Sequence, residues 1–267
     1  MSIAVNGATR LHIIVGDPIA QVQSPAGMTQ AFAALNHNAV LVPVHVSLTD
    51  LPGFIESAGR VQNLDGIVVT IPHKFACYRF CASTTERARF LGAVNVMRRA
   101  PDGGWFGEML DGLGFVGALR ANGCRPEGLR ALLVGAGGSG SAIAHGLIEA
   151  GVRELAIHDT DSGRRDALIA RLTATLKTPV FIGSADPAGF DLIANATPAG
   201  MTPSDPYPID AARLKSEMFV GCVITSPAIS PIVEVARRLG CSTSVGRDMY
   251  SAAQKMMLDF LLGAAGP

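Results

Sequence analysis

The clearest chemical purpose in the chain belongs to Gly135-Ala136-Gly137-Gly138-Ser139-Gly140. These residues follow the apolar run Leu129–Val134 and open a segment of helical period, Ser139–Ala150. In such a turn the first glycine permits the tight bend and the second lets backbone amides approach a pyrophosphate. The third lets the helix pack close to its strand, with the helix N-terminus facing the anion. Asp159 ends the next apolar run, where an acidic side chain accepts hydrogen bonds from the adenosine ribose hydroxyls. The pattern predicts dinucleotide binding. A 2′-phosphate would be repelled by Asp159, so NAD is expected in preference to NADP. Arg164 and Arg165 are the nearby cations that would have to offset that repulsion.

A second set of candidates carries less motif around it. Val69-Thr70-Ile71-Pro72-His73-Lys74 reads as a strand end followed by a Pro-initiated helix. Ligands in parallel α/β sheets collect at the carboxyl ends of strands, which places Thr70 and Lys74 to face one. Taken alone, Lys74 reads equally well as a solvated helix residue, and Asp111 as an N-cap carboxylate. His73 reads as an exposed helix histidine, His145 and His158 as packing or surface residues, Trp105 as strand packing, and Glu86 as a residue on the cofactor side. No metal site is expected, because Cys77 and Cys81 share a helix spacing without a second ligand pair.

These residues must be positioned by α/β architecture. Leu11–Val15, Ala39–Val46 and Gly66–Thr70 read as strands, with helices over Pro25–Leu35 and Leu51–Arg60, the second capped by Thr49-Asp50. Ala93–Arg99 and Gly104–Gly107 flank a hairpin turn that would close off this first sheet. A second alternation begins after Pro126. Strands at Leu129–Val134, Glu154–His158, Val180–Ile182, Leu192–Ala194 and Phe219–Ile224 are interleaved with helices at Ser139–Ala150, Asp161–Leu176 and Ser230–Leu239. The expectation is a two-domain α/β protein with an N-terminal substrate-binding and catalytic domain over 1–108, its sheet mostly parallel. A Rossmann dinucleotide-binding domain follows over 109–246, and a final apolar helix, 247–263, packs back on the first domain.

Composition narrows the partners. Lys plus Arg equals Asp plus Glu at 22 each, so no basic field favours nucleic acid or an anionic membrane. The charge-free run Ala131–Ile148 carries five Gly, two Ser and a His, too broken for a membrane span. Five cysteines form no paired ladder, and the opening residues lack an apolar signal core, which together imply a reducing, cytoplasmic setting. A small molecule is the expected partner of a monomer or homodimer.

The segments VGDPIAQVQSP, VTIPHK, LGAVNV, GEMLDGLGF, VGAGGSG, IANATPAGM, SPAISP and VGRDMYSAAQ occur in that order from about Leu11 to Gly263. In this arrangement the chain resembles the shikimate dehydrogenase family, including its quinate relatives. The resemblance implies that Lys74 is the general acid/base for the hydroxyl that becomes a ketone, with Asp111 as its partner. It implies substrate contacts from Thr70, Asn95 and Ser24, the last being the second serine of a carboxylate clamp. It puts Asn195, Ala196, Thr197, Val223 and Gly246 on the cofactor side.

Several positions depart from the family pattern. The first clamp serine is Val22, an asparagine is Val68, an Asn-Thr pair is Met109-Leu110, and a tyrosine is Thr225. The C-terminal glutamine aligns with Ala253, leaving Gln254 one position late, a rotation of about 100° on a helix. Where the family often carries Asn-Arg-Thr for NADP, this chain has His158-Asp159-Thr160. The implied function is NAD-dependent hydride transfer that interconverts a cyclic hydroxy acid, shikimate- or quinate-like, with its 3-dehydro ketone. The alternative is a catalytically idle NAD-binding or sensor protein that has kept the fold.

Overall fold

A computed structural model describes residues 5–263. The chain divides into two compact units, one running to Leu110 and taking in the residues from Gln254 onward, the other spanning Asp111–Ala253. The first boundary therefore falls between Leu110 and Asp111, and the final helix is divided between the units at Ala253 and Gln254.

The first unit contains, in order, β1 (Arg10–Gly16), α1 (Ser24–Ala34), β2 (Ala39–His45), α2 (Leu51–Ala58) and β3 (Leu64–Val69). Next come α3 (Lys74–Tyr78), β4 (Ser83–Thr84), α4 (Glu86–Leu91), β5 (Val96–Arg99) and β6 (Trp105–Glu108). Its six-stranded sheet has the order β2-β1-β3-β5-β6-β4. The central β1 pairs in parallel with both β2 and β3, whereas β5 runs antiparallel to both β3 and β6. The β5–β6 hairpin is present but does not close the sheet, because the short β4 pairs in parallel with β6 at the edge. Ile13, Val15, Ile67 and Val69 are buried on the central strands, and Met28 and Phe32 are buried on α1, where Phe32 stacks on His12 of β1. Pro25 lies in the first turn of α1, where its missing N–H costs nothing. Helix α2 begins at Leu51, but Asp50 does not cap it with its side chain; its carboxylate instead accepts the Ser47 hydroxyl at 2.7 Å. The last helical residues of the chain also belong here. Phe260 stacks on Phe106 of β6 at 5.5 Å between ring centroids, and the Arg98 guanidinium lies over both rings.

The second unit contains α5 (Asp111–Ala121), β7 (Arg130–Val134), α6 (Gly138–Glu149), β8 (Glu154–His158), α7 (Ser162–Thr173) and β9 (Val180–Ile182). It continues with β10 (Leu192–Asn195), β11 (Phe219–Cys222), α8 (Pro231–Arg238), β12 (Ser242–Ser244) and the start of α9 (Gly246–Leu261). All six strands are parallel, in the order β12-β11-β10-β7-β8-β9. Strands buried on both faces need continuous apolar runs, and Ala131–Val134, Leu155–Ile157 and Leu192–Ala194 supply them. Asp161 caps α7 by accepting the Arg164 N–H at 3.0 Å. Among the described residues no helix is long and apolar enough to cross a membrane, and the five cysteines are unpaired.

Candidate active site

In the first unit the chain runs outward from β1 to β2 and returns on the other side of β1 as β3. At such a switch point no crossover covers the carboxyl ends of the two central strands. Backbone bonds carry the pairing past the strand ends: the Thr70 N–H donates to Val15 O at 3.0 Å, and the Asp17 N–H donates to Ile71 O at 2.9 Å. Thr70 is half-buried there, and its methyl occupies the space a Cβ on Gly16 would need.

Lys74 opens α3 and is half-buried; its carbonyl accepts the Val94 N–H at 3.1 Å, tying the helix head to the segment that carries Asn95. The residue before it overturns the sequence reading. His73 is 0% exposed, and its Nε2–H donates to Val46 O at 2.7 Å, since a carbonyl can only accept. Its N–H donates to Thr70 O at 3.0 Å and its carbonyl accepts the Cys77 N–H at 2.8 Å. His73 is thus an anchor that clamps the turn leading into Lys74. Nothing in the spacing marks it, because a polar residue at a helix start ordinarily faces water.

Asn95 is buried and holds a junction of three segments. Its carbonyl accepts from Val69 N at 2.8 Å, its N–H donates to Glu108 O at 3.0 Å, and its Oδ1 accepts the Leu110 N–H at 2.8 Å. Ser24 is the first residue of α1 and only 5% exposed, yet its hydroxyl finds no hydrogen-bond partner. A buried hydroxyl beside the unpaired N–H groups of a helix start is a ready donor site for a carboxylate. Of the departures noted above, Val68, Met109 and Leu110 are buried within this unit, and Val22 is half-buried. Glu86 lies exposed in the first turn of α4.

In the second unit the strand order reverses at β7, and the glycine turn leaves that strand's carboxyl end. Gly135 has φ +100°, a conformation L side chains rarely adopt, and donates its N–H to His158 O at 2.8 Å. A Cβ there would lie 2.9 Å from the Ala196 carbonyl carbon. A Cβ on Gly140 would overlap the Gly135 carbonyl oxygen, so only hydrogen lets α6 start this close to β7. Gly137 differs: a Cβ there meets nothing within 4 Å, so the turn has open space in front of it. Gly138 and Ser139 are the first residues of α6, at the positive end of its helix dipole. A turn whose backbone is open at Gly137 and tight at Gly135 and Gly140 suits a pyrophosphate, and these residues fit a dinucleotide.

Asp159 is fixed at the rim of that turn. Its Oδ2 accepts the Ala136 N–H at 2.7 Å and its Oδ1 the Asp161 N–H at 2.8 Å. Arg164 pairs with Asp161 at 3.5 Å and Arg165 with Asp166 at 2.8 Å, so both nearby arginines are engaged by other carboxylates. At the end of β10, buried Asn195 accepts the Thr197 N–H at 3.0 Å and hydroxyl at 2.7 Å, and its Nδ2 donates to Cys222 Sγ at 3.3 Å. The side chain is engaged within the fold, holding the loop that carries Ala196 and Thr197. Val223 N–H donates to Asn195 O at 3.1 Å, half-buried Thr225 follows, and Gly246 opens α9 against the Val223 and Ile224 carbonyls with no room for a Cβ. Ala253 lies against Gly114 of α5, where a Cβ on that glycine would come within 2.9 Å of it. Gln254, the next residue, therefore points away from that packing. Asp111 is the first residue of α5, inside the helix, 5% exposed, and its Oδ2 accepts the Ser139 hydroxyl at 2.7 Å.

The chain is 35% identical over 250 residues to a shikimate dehydrogenase (NADP(+)) of Rubrobacter xylanophilus, an alignment covering 92% of this chain and 88% of that protein. The chain belongs to the shikimate dehydrogenase family. Residues 14–97 match the family model described as the shikimate dehydrogenase substrate binding domain. Among solved structures, the quinate dehydrogenase of Corynebacterium glutamicum in complex with NAD is 26% identical, with a TM-score of 0.83 over 96% of this chain and 94% of that one. The ligand-free 5-ketofructose reductase of Gluconobacter sp. strain CHM43 is also 26% identical, with a TM-score of 0.80 over 97% and 94%. The relatives of this shikimate dehydrogenase family member thus carry names with different substrates and different dinucleotides. As a member of the family it is an oxidoreductase with a Rossmann-like nicotinamide dinucleotide domain.

Proposed function

We propose that this protein interconverts a secondary alcohol on a cyclic hydroxy acid of the shikimate or quinate class with the corresponding 3-dehydro ketone, using NAD in preference to NADP. The observation that carries the reading is Lys74 at the head of α3, just beyond the carboxyl end of β3, inside the segment matched by the substrate binding domain of the family. In this reading the first unit is the substrate half and the second the dinucleotide half.

A nicotinamide dinucleotide, when bound, supplies the hydride acceptor or donor. Lys74 Nζ takes the hydroxyl proton when the alcohol is oxidised and returns it when the ketone is reduced. The clamp formed by His73 fixes the turn from which the amine is presented. Ser24, with the start of α1, receives the carboxylate of the ring acid, and the hydroxyl that lacks a partner gains one. Thr70, Asn95, Thr225 and Gln254 supply further substrate contacts, and Asp111 orients the reacting hydroxyl. Gly135 to Gly140 receive the pyrophosphate, while Asn195, Thr197, Val223 and Gly246 shape the nicotinamide end.

The dinucleotide preference rests on charge. Asp159 is held by two backbone N–H donors and cannot swing aside without losing both. The arginines that would neutralise a 2′-phosphate are paired elsewhere. Free thiols at all five cysteines support a reducing, cytoplasmic setting. The test is initial-rate turnover of shikimate and quinate with each dinucleotide. The expected result is dinucleotide-dependent oxidation of at least one ring acid, with kcat/KM higher for NAD⁺. Turnover with NADP⁺ alone would overturn the preference, and no turnover of any ring hydroxy acid would overturn the function.

A further inference from the structure

We propose that Ser139 is a positioning residue for the reaction, through which the dinucleotide loop sets the orientation of Asp111. The inference rests on the function proposed above, in which Asp111 orients the reacting hydroxyl. The glycine motif accounts for the backbone of this turn but gives no task to the serine side chain. Its hydroxyl donates to Asp111 Oδ2 at 2.7 Å, within a single compact unit and at a buried carboxylate. A hydrogen bond to an ionised carboxylate is among the stronger ones, and it removes one rotational choice from the acid.

The helices that carry the two residues have little freedom to separate them. Helices α5 and α6 pack backbone to backbone through Gly112 and Gly146. A Cβ on Gly146 would come 2.9 Å from Gly112 O, and one on Gly112 would overlap the Ala142 carbonyl. Asp111 is the residue before Gly112, and Ser139 is the second residue of α6. The start of α6 also presents the positive end of a helix dipole, which favours an anion nearby. A bound pyrophosphate and the Asp111 carboxylate therefore share one turn of helix. Ser139 donates a hydrogen bond to the acid, so its part is to aim Asp111 while the backbone of the same turn serves the phosphate.

The test is a double-mutant cycle in the full chain with Ser139→Ala, Asp111→Ala and the pair, plus Ser139→Thr. Ser139→Ala is expected to lower kcat for the ring acid roughly 10- to 100-fold while dinucleotide Kd, titrated without substrate, moves less than about threefold. Ser139→Thr restores most of the rate. In the Asp111→Ala background, Ser139→Ala adds no further loss. A Ser139→Ala variant with unchanged kcat overturns the proposal. So does one whose dinucleotide affinity falls as far as its rate, which would make the serine a phosphate ligand. If the wild-type chain turns over no ring acid, the proposed function fails, and the same cycle is read in denaturant unfolding. Non-additive losses would then keep the Ser139–Asp111 link while removing its role, and additive losses would overturn the link as well.

Discussion

The two units offer their candidate groups in different materials. In the second unit the working surface is backbone: a left-handed Gly135, an open Gly137 and a Gly140 with no room for a Cβ, all at the reversal point of an all-parallel sheet. In the first unit the proposed groups are side chains, Ser24, Thr70, Lys74 and Asn95, carried at or near the ends of separate elements. A backbone site tolerates few residue types, so its spacing reads directly as chemistry. A side-chain site can change its polar contacts while its frame stays. The resemblance makes Val22, Val68, Met109 and Leu110 such changes, and three of them are buried in the first unit.

The sharpest contrast between the units should appear in acid. His12 lies in the middle of β1, stacked on Phe32 at 4.6 Å between centroids, and neither ring nitrogen has a partner. Burial holds its pKa down to about 4 from 6.5. Between those values the unfolded chain binds a proton that the folded chain does not, so stability falls as pH drops from 6.5 toward 4. The expected loss is about 3 kcal/mol, complete near the lower value. Denaturant unfolding against pH measures it, and His12→Phe should flatten the slope over that window. An unchanged slope would mean that other groups dominate.

Within the second unit, Gly140→Ala and Gly137→Ala should part company. The first pushes a methyl into the Gly135 carbonyl and is expected to cost about 1–3 kcal/mol of stability together with dinucleotide binding. The second meets open space at an ordinary backbone angle, with φ −72°, so folding should be unaffected while dinucleotide affinity drops. Melting temperature and dinucleotide titration on both variants test the pair; equal melting temperatures would show that the turn has more slack than the geometry indicates.

Asp159→Asn removes the charge but keeps an acceptor. The NAD-over-NADP ratio of kcat/KM is expected to narrow by about tenfold, chiefly through the NADP term. The smallest effect belongs to the first unit. Ser24→Ala should raise KM for the ring acid by roughly five- to tenfold, the weight of one ordinary hydrogen bond. It should leave melting unchanged, because the hydroxyl is unpaired without ligand. A melting temperature that falls with no change in KM would assign Ser24 to the frame.

Legibility followed the same division. Most parallel strands of both sheets and most of the helices between them are legible in apolar runs and helical period, because a buried run of sufficient length shows its period. Strand β4, with two residues, and β12, the polar Ser242–Ser244, have no such run and were not anticipated. Without β4 the hairpin looked like the sheet edge. The glycine turn and Asp159 were readable from spacing alone. The roles given to Lys74, Asp111, Ser24 and Asn95 came from resemblance, since a lone lysine, acid, serine or amide carries no period. His73 was misread because its burial depends on Val46, 27 residues away. The Ser139–Asp111 bond likewise joins residues 28 apart, and no local pattern reports it.

The most direct test of the central claim is kcat of Lys74→Ala on the preferred ring acid, with dinucleotide affinity titrated on the same sample. Loss of a general acid/base predicts a fall of about 10²–10⁴ in kcat with dinucleotide Kd unchanged. Turnover at the wild-type rate would contradict the account, because the proton would then be handled by some other group.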